Sequence, residues 1–212
     1  MDDKVSQVRK SYLSGELDES SVGADPIGIF SEWMEDATAA GIEEANGMAL
    51  ATASADGMPS VRIVLLRGFD QRGFAFYTNY DSAKGQDLLA NPRAAASFWW
   101  APLERQVRIA GRVEKMSRAE SQAYFDTRPR GHQLSAWASP QSGVVAGRAE
   151  LEARAEEVTA LFPAEVPLPD FWGGYRLIPE RIEFWQGREN RLHDRVLFER
   201  RLDEWTVARL AP

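Results

Sequence analysis

The stretch EFWQGRENRLHDR, Glu183 to Arg195, sets Arg188, Arg191 and Arg195 beside Trp185 and holds His193, one of the two histidines in the chain. Guanidinium groups next to an aromatic ring suit a flat anionic ligand. A second group of cations lies far upstream. SVRIVLLRGF carries Arg62 and Arg67 at the ends of an apolar run, and their odd spacing puts them on opposite faces of a regular strand, where they would serve two anions. A buried strand with arginines at its exposed ends is the structural alternative. Ser82 and Lys84 stand where a helix should begin, and a helix start offers phosphate free N–H groups and a favourable dipole. Gly85 permits close approach there, although a serine cap with a first-turn lysine is also ordinary surface sequence. TRPRGHQLSAWASPQSG, Thr127 to Gly143, reads as a long loop whose arginine, hydroxyl and amide donors suit phosphate and the polar edge of a heterocycle.

Other chemistries lack their residues. The 212-residue chain has no cysteine, which excludes disulfides, thiolate metal sites and cysteine nucleophiles. His132 and His193 show no metal-binding spacing, so no metal is expected. G-x-S-x-G, G-x-G-x-x-G and Walker patterns are all missing, which removes the usual evidence for esterases, dinucleotide folds and P-loop NTPases. A net charge of −7 and a pI near 5.0 argue against nucleic-acid binding. Arginines clustered against that acidic background point to small anionic ligands. MDDKVSQVRKSYLSGELDES holds no apolar run long enough for a secretory signal or membrane span, so a cytoplasmic protein without membrane association is expected.

The elements that must position these residues are readable. Asp25 and Pro26 begin an amphipathic helix carrying Ile27, Phe30, Trp33, Met34 and Ala37, and Gly41 ends it. From Met48 the chain turns to short β-rich runs divided by turn signals: MALATAS, SVRIVLLRGF and FAFYTNY. RAAASFWW and RQVRIAGRVEKM continue the pattern, with Gly111 marking a bulge or bend in the second. Three helices interrupt the strands: SAKGQDLLAN, SRAESQAYFDTR with a Ser117/Glu120 capping box, and GRAELEARAEEVTALFP. The tail returns to strands. The expectation is a mainly β fold with flanking helices, antiparallel, closed as a barrel or sandwich. It comprises one domain over 25–212 preceded by a segment over 1–24.

In order, RIVLLR, FYTN, LERQVRIAG, YFDTRPRG, AWAS-PQS, VPLPDFWGGYR and IEFWQGRENRLHDR resemble the pyridoxamine/pyridoxine 5′-phosphate oxidase family over essentially the whole chain. The resemblance implies an FMN-binding split β-barrel, homodimeric, with FMN at the subunit interface. It also implies an oxidase that converts pyridoxamine or pyridoxine 5′-phosphate to pyridoxal 5′-phosphate, reducing dioxygen to hydrogen peroxide and releasing ammonia from the amine. By position, FMN would meet Arg62, Ile63, Val64, Leu65, Leu66, Arg67, Tyr77, Thr78 and Lys84, together with Gln106, Gln141, Ser142, Trp185 and Arg195. The substrate would meet Arg9, Tyr12, Arg67, Tyr124, Arg128, His132 and Leu192, with Arg191 and His193 as catalytic residues at its ring. Residues 1–24 would close over it.

Three positions depart from the family pattern. Arg67 stands where lysine is common, Ala83 where a second cation is common, and His132 where serine is usual. The alternatives are a relative acting on another aromatic substrate, such as a phenazine precursor, and a flavin- or pyridoxal-phosphate-binding module without turnover.

Overall fold

Asp25 starts the first helix as its side chain suits it to do, accepting from the Ile27 N–H at 3.0 Å, with Pro26 in the first turn of α1 (Pro26–Ala39). The computed structural model describes residues 11–20, 22–202 and 204–212. After α1 come β1 (Gly47–Ala53), β2 (Pro59–Leu65), β3 (Gly68–Asp70), β4 (Gly73–Asn79), α2 (Ala83–Ala90), β5 (Arg93–Trp100) and β6 (Arg105–Lys115). α3 (Arg118–Asp126), α4 (Arg130–Ala138), α5 (Arg148–Leu161), β7 (Trp172–Gln186), β8 (Asp194–Arg201) and β9 (Glu204–Arg209) complete the order. The strands are hydrogen-bonded in the order β2-β1-β5-β6-β7-β4-β3, and β8 pairs with β7 and β9. The β3–β4, β4–β7, β7–β8 and β8–β9 pairs are all antiparallel, as the short runs and turn signals predict. Among the described residues no helix is long and apolar enough to cross a membrane.

The contacts group into two compact units. The first takes the chain up to Ala49, Ala95–Ala110 and Pro179–Pro212. Its core is aromatic: Phe30 lies 5.1 Å from Phe98, Trp33 lies 5.2 Å from Phe184, and Phe184 lies 5.8 Å from Phe198, all edge to face. The Trp100 indole N–H, fully buried, donates to the Ala45 carbonyl at 2.9 Å. The second unit takes Leu50–Ala94 and Gly111–Ile178. In it β4 pairs with β7 so that Phe76 faces Tyr175, their rings stacked at 5.7 Å. Phe125, Ala136, Val166, Leu168 and Trp172 form a further buried cluster under α3 and α4.

Two readings of the sequence are corrected here. SVRIVLLRGF is not one strand: β2 stops at Leu65, β3 begins at Gly68, and the Arg67 N–H donates to the Ala75 carbonyl at 2.8 Å. The opposite-face argument for Arg62 and Arg67 assumed a regular strand and so does not apply. Thr127–Gly143 is not a continuous loop, because α4 occupies its middle. Pro129 is the N-cap of α4, Ala136 and Ala138 are buried, and the Arg130 guanidinium donates to the carbonyls of Phe162 and Ala164. Polar composition hid a short helix that contains no proline and no β-branched residue.

The start of α2 is buried rather than exposed. Ser82 is inaccessible, donates to the Asn79 carbonyl at 2.7 Å and caps the Gly85 N–H. A Cβ on Gly85 would lie 2.1 Å from the Tyr80 carbonyl oxygen, so only glycine lets this turn pack. Gly85→Ala should therefore cost about 1–3 kcal/mol, the usual range for overpacking a tight site, measured as a lower urea midpoint at unchanged slope.

Candidate active site

The second unit holds a cavity of about 560 Å³. Its walls bring together twelve of the residues singled out from the sequence: Arg62, Ile63, Val64, Leu65, Arg67, Tyr77, Thr78, Lys84, Tyr124, Arg128, His132 and Gln141. Among the described residues three arginines, a lysine and a histidine line it, and none of the lining residues is Asp or Glu. That charge is uncompensated at the walls, which favours an anion.

Two of the cations, Arg62 and Lys84, are braced by hydrogen bonds. Arg62 donates to the Thr52 hydroxyl at 2.7 Å, the Ser60 hydroxyl at 2.7 Å and the Leu50 carbonyl at 3.3 Å. Asp87, 3.8 Å from this guanidinium, accepts from Thr52 at 2.6 Å and so fixes the hydroxyl that holds the arginine. Lys84, 8% exposed, points its ammonium at the neutral oxygens of Thr78, Ser82 and Gln141, at 3.2–3.4 Å. Burial, and then the nearby Arg62, push the Lys84 ammonium below the ordinary lysine range. The Gln141 side-chain oxygen also receives the Thr78 hydroxyl at 2.7 Å and the Asn79 N–H at 3.4 Å. Three donors thus converge on one amide oxygen, an arrangement that would suit an anionic oxygen better.

An aromatic stack supports the other side. Tyr77 and Tyr124 stack at 3.8 Å, and Trp172 lies parallel to both, 5.6 Å and 6.2 Å away. The Arg128 guanidinium sits 4.6 Å from the centroid of the Trp172 ring, and its buried Nη1 has no hydrogen-bond partner among the described residues. Burial lowers its pKa, as does Arg67 more weakly, against Tyr124. Sequence reasoning missed Trp172 and the brace formed by Thr52 and Asp87. Two glycines following an aromatic residue in DFWGGYR were the only local signal for the first.

The first unit gathers a different group. Tyr12 meets Trp185 edge to face at 5.7 Å and His193 at 5.5 Å, and Trp185 lies 4.6 Å from His193. His193 Nδ1 accepts the Arg188 N–H at 3.1 Å, so its proton resides on Nε2. Burial, then the neighbouring Arg191, hold its pKa below the ordinary value, partly opposed by Asp194. Arg191 is exposed, with φ of 63°, in the turn before the exposed Leu192. Arg195 faces Trp185 across the β7–β8 ladder and donates to Glu183 at 2.8 Å and to the Ala211 carbonyl at 2.8 Å. Glu183 raises the pKa of Arg195.

The remaining residues are dispersed. Gln106 is half-buried on β6, and Leu66 is buried and is not among the cavity's lining residues. Ser142, with φ of 70°, lines a neighbouring cavity of about 540 Å³ that shares Gln141. Arg9 lies outside the described residues, as do all of residues 1–10 in the segment over 1–24. Among the described residues no three His, Asp or Glu side chains are grouped to hold a metal.

The family model described as pyridoxamine 5′-phosphate oxidase matches residues 34–162, and that of the pyridoxine 5′-phosphate oxidase C-terminal dimerisation region matches 172–212. A pyridoxine/pyridoxamine 5′-phosphate oxidase of Bordetella petrii is 56% identical over 212 residues, covering 98% of this chain and 99% of the relative. One from Thermosynechococcus vestitus is 53% identical, with 99% of each covered. Among solved structures, PhzG of Burkholderia lata in complex with tetrahydrophenazine-1-carboxylic acid aligns with a TM-score of 0.90 and 30% identity, over 96% of this chain and all of that one. An FMN-binding protein of Nostoc punctiforme, related to pyridoxamine 5′-phosphate oxidase, aligns with a TM-score of 0.73 at 20% identity, over 90% and 99% of the two chains. It shares the fold.

The His193 environment has a definite pH signature. A histidine whose folded-state pKa is depressed adds stability that is fully present above the unfolded value, about 6.5, and is lost as pH falls through the folded value. The His193 ring proton should titrate below about 6.5 by NMR, assigned with His132→Asn to leave one histidine. Arg191→Gln should move the midpoint up and Asp194→Asn should move it down. Equal midpoints in the three proteins would contradict this reading of the site.

Proposed function

The chain belongs to the pyridoxamine 5′-phosphate oxidase family, and from that premise we propose that it is the FMN-dependent oxidase that makes pyridoxal 5′-phosphate from pyridoxamine or pyridoxine 5′-phosphate. Two hydrogens leave the 4′-carbon and its substituent, dioxygen becomes hydrogen peroxide, and with the amine a water enters as ammonia leaves. One observation carries the reading: a cavity whose walls hold four cations and no carboxylate, with a buried guanidinium nitrogen still lacking an acceptor.

The residues present fit FMN. Its phosphate monoester matches the Arg62 and Lys84 pair, with the Thr78 hydroxyl and Gln141 amide beside them, and Ile63–Leu65 offer an apolar wall to a ring. Tyr77, Gln106, Ser142, Trp185 and Arg195 are proposed to complete the cofactor contacts, and Leu66 to contribute backbone. Bound FMN supplies the two-electron acceptor and the reaction with dioxygen.

The side chains do the rest. Arg128, held over the Trp172 ring, is oriented before any ligand arrives and is assigned with Arg67, Tyr124 and His132 to the substrate phosphate. His193 offers Nε2–H as a donor because Nδ1 is already engaged. Arg191 is assigned to the substrate ring, with Tyr12 and Leu192 beside it. No side chain here is required as a strong base.

The chain is proposed to act as a homodimer with FMN at the subunit interface. The edge strand β2 supports this by exposing Val61 and Ile63, with the exposed Met58 just before it, an apolar edge that natural sheets cover. A phenazine-precursor oxidase is the second reading, favoured by the likeness to PhzG. One carboxylate would not need Arg67, Arg128 and His132 together, which weighs toward a phosphate ester.

The purified protein should be yellow and should release peroxide with pyridoxamine 5′-phosphate. A colourless protein that stays inactive after FMN is added would reject the proposal. Lys84→Ala should weaken FMN binding about 10–100-fold, the loss of roughly 1.5–3 kcal/mol of charge-assisted bonding. Arg128→Ala should instead raise KM by a similar factor while retaining FMN, and Arg191→Ala should lower turnover far more than flavin content.

A further inference from the structure

Tyr12 touches both aromatic partners of the proposed substrate site, yet it belongs to a short irregular segment with no secondary structure to place it. Something else must fix it. The Leu13 and Ser14 N–H groups donate to one oxygen of Glu104, at 2.7 Å and 2.9 Å. Glu104 is 2% exposed and has φ of 55°, placing it at the end of the 3-10 turn Ala101–Leu103. Its carbonyl accepts the Gly187 N–H at 2.8 Å and is also within 3.3 Å of the Gln186 side-chain nitrogen. Glu104 thus joins the segment to the end of β7, next to Trp185.

Gly187 provides the seat. A Cβ there would lie 2.8 Å from Cγ and Cδ1 of Tyr12, so the ring rests on glycine backbone. Beyond it, Arg188 donates to the Gly15 carbonyl at 3.2 Å and pairs with Glu16 at 2.8 Å, while its own N–H holds His193 Nδ1. The Leu17 N–H donates to Asp194 at 3.1 Å, and Arg209 bridges the Leu17 carbonyl, Glu19 and Asp194. The later residues are held mainly by half-exposed ion pairs, which are weak. The two bonds nearest Tyr12 go to a buried carboxylate, which makes them the strong ones.

We propose that Glu104 is a positioning residue: its carboxylate clamps the Leu13–Ser14 backbone so that Tyr12 lies on Gly187 and fixes the His193 imidazole that meets the substrate. This rests on the function proposed above for its catalytic consequence. The clamp itself does not.

The test uses the FMN-loaded full chain as wild type and as Glu104→Ala, Glu104→Gln, Gly187→Ala and Tyr12→Ala. Amide exchange of a peptide covering residues 11–17 and the NMR signal of the His193 ring are read without turnover. KM and kcat with pyridoxamine 5′-phosphate are read separately. Glu104→Ala should speed exchange about tenfold or more and shift the His193 signal. It should raise KM about tenfold, with kcat and flavin content within about twofold. Gln keeps an acceptor oxygen and should restore most of the protection. Gly187→Ala moves Tyr12 without touching the carboxylate, so it should shift the ring signal and KM equally and stands in if Glu104→Ala fails to fold. Adding Tyr12→Ala to Glu104→Ala should change KM no further. Unchanged exchange in Glu104→Ala would overturn the proposal, and so would faster exchange with an unmoved His193 signal. If the wild type does not turn over the B6 phosphates, the function proposed above fails while exchange and the ring signal still decide the clamp.

Discussion

Uncompensated positive charge in a half-enclosed cavity is the constraint around which the second unit is organised. Arg62, Arg67, Lys84 and Arg128 line the same cavity although the chain as a whole is acidic at −7. Burial lowers the pKa of Arg62, Lys84 and Arg128, and like charge adds to it for Lys84 through Arg62 and for Arg128 through Arg67, whereas Asp87 opposes it at Arg62. The solution is to keep carboxylates out of the walls and brace Arg62 and Lys84 with neutral oxygens. Asp87 illustrates this: it stands behind Arg62, nearer to Thr52 than to the guanidinium. A carboxylate in the wall would have neutralised the cavity and competed with any phosphate.

The same economy sets the aromatic partners. The Arg128 guanidinium lies over Trp172, and the Tyr77–Tyr124 pair extends that ring surface. A guanidinium held this way loses little freedom when it binds, so its hydrogen bonds go further toward affinity. In the first unit the ring contacts serve orientation instead. His193 is held by the Arg188 N–H at one nitrogen and by Tyr12 and Trp185 on its sides, leaving Nε2–H to act.

Local chemistry was legible in the sequence wherever it was self-contained. The Asp25 and Ser117 caps, the Ser82 start and the strand RAAASFWW all depend on neighbours within a few residues, and the structure shows each as read. What failed depended on distant partners. The break after Leu65 does not alter hydrophobic periodicity, because Leu66 is itself buried; it is the pairing of β3 with β4 that ends the first strand. α4 is held by the carbonyls of Phe162 and Ala164, about thirty residues away, which no local pattern announces. Arg128 was singled out and Trp172 was not, because only the tertiary fold sets one on the other. The roles of the cofactor and substrate residues came through the ordered family resemblance, since spacing alone ended at dispersed phosphate-compatible cations.

The unpartnered Nη1 of Arg128 is best understood as stability withheld for a ligand. A buried donor without an acceptor costs about 1–3 kcal/mol, and a fold optimised for stability alone would have satisfied it. Tyr175, whose hydroxyl is also buried without an acceptor, is pushed up to about 12 by burial, but its rings of contact are Phe76 and Tyr80 in the core. Arg128 differs because it lines the cavity, so an incoming phosphate oxygen can supply what the protein leaves out. That deficit is recovered on binding, and a ligand at a hundred times its Kd adds about 2.7 kcal/mol to the folded state. On the proposed function the cationic walls and the missing acceptor are therefore two parts of one arrangement, in which the anion completes the structure that recognises it.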